Sequence, residues 1–322
     1  MIKEELKPEN ELLEATLKNK FLEVSFINYG ARITSIKMPD KNGNIHNIVL
    51  TAEETNNFKN IETNLSNNVK ENYNAQNLKG WTKDRSFTNA ICGPLAGRYL
   101  IDGEIILHGG KEALSDVYWE LSKHEDSVTF KHKNFKVIYT LKNNELIVSY
   151  EAATEFVNLT QHAYFNLSGT GEKIESHILQ LPSSAYWELD KNSLPTQLIN
   201  FDDYTEVKND YTNENLNKEE TSDANHRAWD FRKPRNLSFG IDNPFILEES
   251  ELILSHPNGR MLTIKTDQPA VVVYTGNNMP EEVRHTAVCL ETQYVPNDLE
   301  KAKVKKGESY KQETIFKFDI LN

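Results

Sequence analysis

FKVIYTLKNNELIVSYEA, residues Phe135 to Ala152, decides the fold class. Two alternating runs, Phe135 to Leu141 and Leu146 to Ala152, flank Lys142 to Glu145, where paired asparagines tolerate the positive φ of a tight turn. The stretch reads as an antiparallel hairpin. Working outward, Val128 to Lys133 adds a strand before it. Leu22 to Ile27, with Val24 and Phe26 on one side, leads to Ala31 to Met38 and the Asn-Gly turn of Asp40 to Asn44. Toward the C-terminus, Leu252 to Ser255, the HPNG turn at His256 to Gly259, Met261 to Thr266, Ala270 to Tyr274 and Ser309 to Asp319 repeat the pattern. No segment carries a convincing long helical period. The expectation is an all-β chain.

Thr51 to Lys79 and Asp202 to Asn225 break this rhythm, being rich in Asn, Glu, Asp and Thr and poor in aliphatics. Similar strand patterns lie on both sides of each, so both read as long surface loops rather than domain boundaries. The 322 residues are therefore expected to form a single domain, 1–322.

Composition narrows the function. A hydrophobic content of 38%, with 13 Tyr and 14 Phe, is enough to build a core. The net charge of -12 argues against nucleic acid, whose phosphate backbone calls for clustered Lys and Arg, while a neutral small molecule is compatible. Cys92 and Cys289 each lie in an apolar stretch and point to a reducing, cytoplasmic setting rather than a disulfide framework. MIKEELKPEN lacks the apolar core of an export signal, and no run of 18 uncharged apolar residues follows, so no membrane is expected.

Two segments carry the chemistry. NLTQHAYFNL, Asn158 to Leu167, holds His162, and CLETQ, Cys289 to Gln293, places Glu291 among apolar neighbours. An imidazole and a carboxylate presented by separate strands form an acid/base pair able to move protons on a neutral substrate. Tyr164, two residues past His162, falls on the same strand face. Three turn-like segments add fixed polar groups: Arg98 in ICGPLAGRY, His108 in LHGG and Asp242 in GIDNPF.

In order along the chain, NYGARITSIKMPDKNG, AGRY, LHGG, Trp119, NLTQHAYFNL, GIDNPFIL, YTGN and CLETQ resemble the aldose 1-epimerase, or galactose mutarotase, family. The resemblance covers nearly the whole chain. It implies a large antiparallel β supersandwich with few short helices, and interconversion of the α and β anomers of a free monosaccharide such as galactose or glucose. By the same resemblance Glu291 is the general base at the anomeric hydroxyl and His162 the general acid at the ring oxygen. Arg98 and His108 hydrogen-bond the substrate, Asp242 accepts from sugar hydroxyls, and Tyr164 lines the pocket. No cofactor is implied, and a monomer or homodimer is expected.

The chain departs from the family pattern at Gly97, where many relatives have Asn, and at Val272, where many have Gln. The segment from Gly103 to Leu107 before the LHGG motif is also shorter than in most relatives. Lost hydrogen-bonding groups lower discrimination between sugars. A poorly turning-over sugar-binding or regulatory protein on the same fold is therefore the alternative, and a hexose phosphate would need a basic clamp that is not evident.

Each candidate also has a plain structural explanation. His162 could be a core residue, Glu291 an outward charge, Arg98 a surface ion-pair partner, His108 a turn filler and Asp242 the capping residue of an Asx-turn. The other histidines, His46, His124, His132, His177, His226, His256 and His285, read as surface or packing residues. His108, His162 and Glu291 are a conceivable metal-ligand set, but no HxH or HExxH spacing supports it and no metal is expected. Neither a GxSxG segment nor a phosphate-binding glycine loop occurs.

Overall fold

The Phe135 hairpin belongs to a nine-stranded sheet. In this computed structural model, which describes residues 11–50, 87–203, 228–279 and 281–321, Phe135–Lys142 pairs with Glu145–Ala152 over its full length, and Asn143 makes the turn at φ 54°. The loop readings of Thr51 to Lys79 and of all of Asp202 to Asn225 except Asp202 and Asp203 lie outside the described residues, as does His226.

The nine-stranded sheet runs Arg235–Asn236, Ile178–Gln180, Glu251–Ser255, Arg260–Thr266, Tyr310–Ile320, Glu145–Ala152, Phe135–Lys142, Ser127–His132 and Glu120–Lys123. A four-stranded meander spans Glu14–Lys18, Glu23–Ile27, Arg32–Pro39 and Ile45–Asn47. A six-stranded sheet runs Tyr164–Phe165, Val288–Gln293, Ala270–Tyr274, Asp242–Ile246, Ala185–Leu189 and Pro195–Asn200. Two small ribbons, Ile91–Cys92 with Thr160–Gln161 and Arg98–Ile101 with Glu104–Leu107, complete the set. Every pairing between strands is antiparallel. Among the described residues one short α-helix occurs, Leu299–Ala302, and no helix is long and apolar enough to cross a membrane. This all-β architecture matches the supersandwich expectation.

Strand alternation explains the layering. Phe130, Val137, Tyr139, Val148, Tyr150, Phe316 and Phe318 point to one face of the nine-stranded sheet, and both smaller sheets cover it. Phe26 of the meander packs on Tyr139 with ring centroids 4.8 Å apart, while Phe165 of the six-stranded sheet meets Phe316 at 5.7 Å. Tyr139 also links the layers through polar contacts. Its hydroxyl donates to the Ala31 carbonyl (3.0 Å) and accepts from the Gln161 side chain (2.8 Å), one residue before His162.

Replacing Tyr139 with Phe leaves the Ala31 carbonyl without that donor in a dry interior and removes one bond from Gln161. The expected loss is about 1 to 3 kcal/mol of unfolding free energy, measured by urea denaturation.

Candidate active site

Glu291 faces the site because Thr292 faces the core. Along Val288–Gln293, successive side chains alternate sides. The Thr292 hydroxyl meets that of Thr314 at 2.8 Å on the inner face of the nine-stranded sheet, and Gln312 donates to the Thr292 carbonyl at 3.1 Å. Cys289 and Glu291 must then point the other way, and the strand register extends this face into rows. Tyr164, Cys289, Tyr274 and Asp242 lie opposite one another on four adjacent strands, and Glu291 lies opposite Val272 in the next row.

His162 reaches this face by a different route. Thr160–Gln161 pairs with Ile91–Cys92, whereas Tyr164–Phe165 pairs with Val288 and Cys289. His162 and Ala163 sit at the changeover, so the segment is two short strands rather than the single continuous one its sequence suggests. The expected shared face survives nonetheless. The imidazole stacks on the Tyr164 ring at 5.0 Å and 18°, and its Nε2 lies 3.3 Å from Glu291 Oε1.

Both groups are dry, Glu291 at 3% and His162 at 4% exposure. Burial lifts the Glu291 carboxyl well above the usual carboxylate range; the nearby Asp242 charge adds to this, and Arg98 opposes it. Burial also pushes the His162 imidazole down to about 4. Both shifts favour an uncharged acid beside an uncharged imidazole.

The ribbon supplies the remaining groups. Arg98 begins one strand and lies opposite Leu107, with His108 immediately after, so the turn closes the two site residues onto one end of the ribbon. Arg98 approaches Asp242 Oδ2 at 3.6 Å. Asp242 is therefore not an Asx-turn residue: it opens the strand Asp242–Ile246, where burial raises its carboxyl to about 6 against the pull of Arg98. The His108 ring packs edge-on to His162 at 5.2 Å, with Phe87 against it at 4.6 Å.

Gly97 determines what His108 can do. The Gly97 amide donates to His108 Nδ1 at 3.0 Å, and the His108 amide returns a bond to the Gly97 carbonyl at 2.9 Å. An accepting Nδ1 leaves the proton of the neutral ring on Nε2, and burial holds His108 well below its ordinary pKa, keeping it neutral. The donor atoms of His108, His162 and Glu291 all lie within 4.8 Å of one another, close enough to gather around a cation. His108 is a poor metal ligand all the same, because its one free lone pair is engaged by Gly97 and its other nitrogen carries hydrogen. Gly97 itself stands at φ 83°, and a Cβ there would come within 2.4 Å of Pro296 Cγ.

All six residues singled out from the sequence, Glu291, His162, Arg98, His108, Tyr164 and Asp242, thus fall in one contiguous cluster. Two neighbours were missed. Tyr274 sits edge-on to both His162 and Tyr164, and its position in the YTGN segment was available as a signal; Phe87 had none.

Comparison with known proteins shows the family and the fold. The aldose 1-epimerase family model matches residues 64–317. Galactose mutarotase of Rattus norvegicus is 26% identical over 94% of this chain and 93% of its own length, and that of Homo sapiens is 25% identical over the same shares. Among solved structures, a GalM/aldose epimerase homologue from C. elegans superposes with a TM-score of 0.73 at 20% identity, covering 97% of this chain and 100% of that one. Galactose 1-epimerase from Lactobacillus acidophilus does so with a TM-score of 0.70 at 23% identity, covering 98% and 97%. With a matched model spanning most of its length and a β architecture shared throughout, the chain belongs to the aldose 1-epimerase family.

Proposed function

We propose that this protein interconverts the α and β anomers of a free hexose such as galactose or glucose, with Glu291 as base and His162 as acid. The observation that carries the reading is the 3.3 Å approach of these two buried groups on a face that also presents Arg98, His108 and Asp242. Its family, and relatives named galactose mutarotase, support the reaction class. Relatives matched over nearly their whole length support reading residues 1–322 as one domain. Two buried free thiols, Cys92 and Cys289, favour a reducing cytoplasmic compartment.

Mutarotation needs a proton removed from the anomeric hydroxyl while another is given to the ring oxygen. From the uncharged pair, the Glu291 proton first crosses the 3.3 Å to His162 Nε2. Ionised Glu291 then takes the anomeric proton and protonated His162 supplies the one for the ring oxygen; the bond from C1 to the ring oxygen breaks and the free aldehyde forms. Rotation about the C1 to C2 bond presents the other carbonyl face. Reclosure with both transfers reversed yields the opposite anomer and restores the starting charges.

Burial serves this cycle. The ring-opened state pairs a neutral carboxyl with a neutral imidazole, the form desolvation favours, so a dry site lowers the energy of the intermediate. Each positioned group contributes about 10² to 10⁴ in rate, or roughly 3 to 5 kcal/mol. His108 offers its Nε2 hydrogen to a sugar oxygen, Arg98 stabilises negative charge developing on the ring oxygen, Asp242 accepts from hydroxyls and Tyr164 supports the imidazole face.

Freshly dissolved α-galactose or α-glucose is expected to reach anomeric equilibrium faster with the protein, followed by polarimetry; no acceleration with any common aldose overturns the reading. Glu291→Gln and His162→Asn should each lower kcat at least about a hundredfold with circular dichroism unchanged. For His108, Gln retains an N–H of similar reach and should stay within about tenfold of wild-type kcat/KM, while Ala should fall about a hundredfold or more; equal losses would mean His108 moves a proton. Asp242→Asn should lose activity yet gain stability. Because the folded carboxyl titrates near 6 and the unfolded one near 4, the cost of ionising it is present above pH 6 and gone below pH 4. With partial exposure discounted, the expected gain is on the order of 1 to 3 kcal/mol at pH 7, vanishing in acid, read from denaturation curves at both pH values.

A further inference from the structure

The strand changeover at His162 leaves the acid without a continuous ladder. Gln161 belongs to one ribbon and Tyr164 to another sheet, and the peptide groups between them need other partners. Asn89 provides most of them. Its amide donates to the His162 carbonyl at 3.0 Å, and its side-chain Oδ1 accepts from the Tyr164 amide at 2.9 Å. Its Nδ2 donates to the Leu50 carbonyl at 2.8 Å, and the Leu50 amide in turn donates to the Tyr164 carbonyl at 3.0 Å. The Asn89 carbonyl accepts from the Ile33 amide at 3.0 Å and the Gln161 side chain at 3.2 Å. Next door, Ala90 accepts the His162 amide at 2.9 Å.

Asn89 is fully buried and sits at φ 53°, a left-handed conformation that asparagine tolerates better than most residues. That turn of the backbone aims its amide and its side-chain carbonyl along the same broken edge, two residues apart. We infer that Asn89 is a positioning residue for the acid, spanning the break as a substitute strand that keeps the His162 imidazole stacked on Tyr164 and directed at Glu291. The catalytic consequence rests on the mutarotase reading; the geometric one does not.

Glycine is the informative replacement, since it adopts φ 53° without strain, keeps the three backbone bonds and removes only the two made by the side chain. In Asn89→Gly the expected result is a kcat about tenfold lower or more with KM within about threefold, because Arg98, His108 and Asp242 are held by other segments. The His162 ring protons, shifted upfield by Tyr164 in the wild type, should move back toward ordinary values in the NMR spectrum. Asn89→Asp, which keeps an acceptor for the Tyr164 amide, should recover most of kcat and of the shift. If Asn89→Gly does not fold, Asn89→Asp alone decides: turnover within about threefold of wild type supports the assignment, and a loss as deep as that of His162→Asn overturns it. A glycine variant with wild-type kcat or an unmoved ring shift also overturns it. Wild-type protein that fails to accelerate mutarotation would overturn the functional reading alone, leaving the NMR comparison intact.

Discussion

A pair of threonine hydroxyls, Thr292 against Thr314 at 2.8 Å, holds this structure in its working form. Side chains on a strand alternate, so a slip of one residue along Val288–Gln293 would send Glu291 into the core and Thr292 into the site. The slip is opposed from both sides. Thr314 is also bonded to Thr266 at 3.1 Å, and Gln312 holds the Thr292 carbonyl, so three strands share one buried polar contact that only a single register satisfies. Through that register the row of Tyr164, Cys289, Tyr274 and Asp242 is set, and with it the floor on which Glu291 and His162 meet.

The same floor sets stability against activity. Two carboxyls, Glu291 and Asp242, sit in surroundings that disfavour charge, Asp242 further raises the proton affinity of Glu291, and Arg98 relieves this only in part. A protein selected for stability alone would not bury such a set. The surrounding layers are joined by aromatic contacts such as Phe26 with Tyr139 and Phe165 with Phe316.

Much of this was legible in the sequence because it depends on local pattern. The hairpin of Phe135 to Ala152, the strand Ala270–Tyr274 and the Asn-Gly turn after Pro39 follow from alternation and turn chemistry, and the structure shifts their ends by a residue or so at most. The motif series brought the six site residues to notice. What alternation could not show is a change of partner inside an unbroken β-like run, since Gln161 and Tyr164 look alike whichever strand they join. Ile178–Gln180 and Glu14–Lys18 escaped for a related reason: one is three residues long, and the other carries charge at both ends. Asn89 resembles an ordinary turn residue, and its five bonds run to segments far away in the chain. The Arg98 to Asp242 contact likewise depends on two strands that only the folded sheet brings together.

Gly97 and Pro296 carry an implication for how this site can change over generations. Because a Cβ at position 97 would overlap the proline ring at 2.4 Å, Gly97 cannot gain a side chain while Pro296 stays. A side chain can enter the rim there only in a lineage that has already given up the proline, so the order of substitutions is constrained and one route back toward a more polar rim is closed. Val272, by contrast, lies opposite Glu291 on the neighbouring strand, while Gly97 orients His108 through its amide.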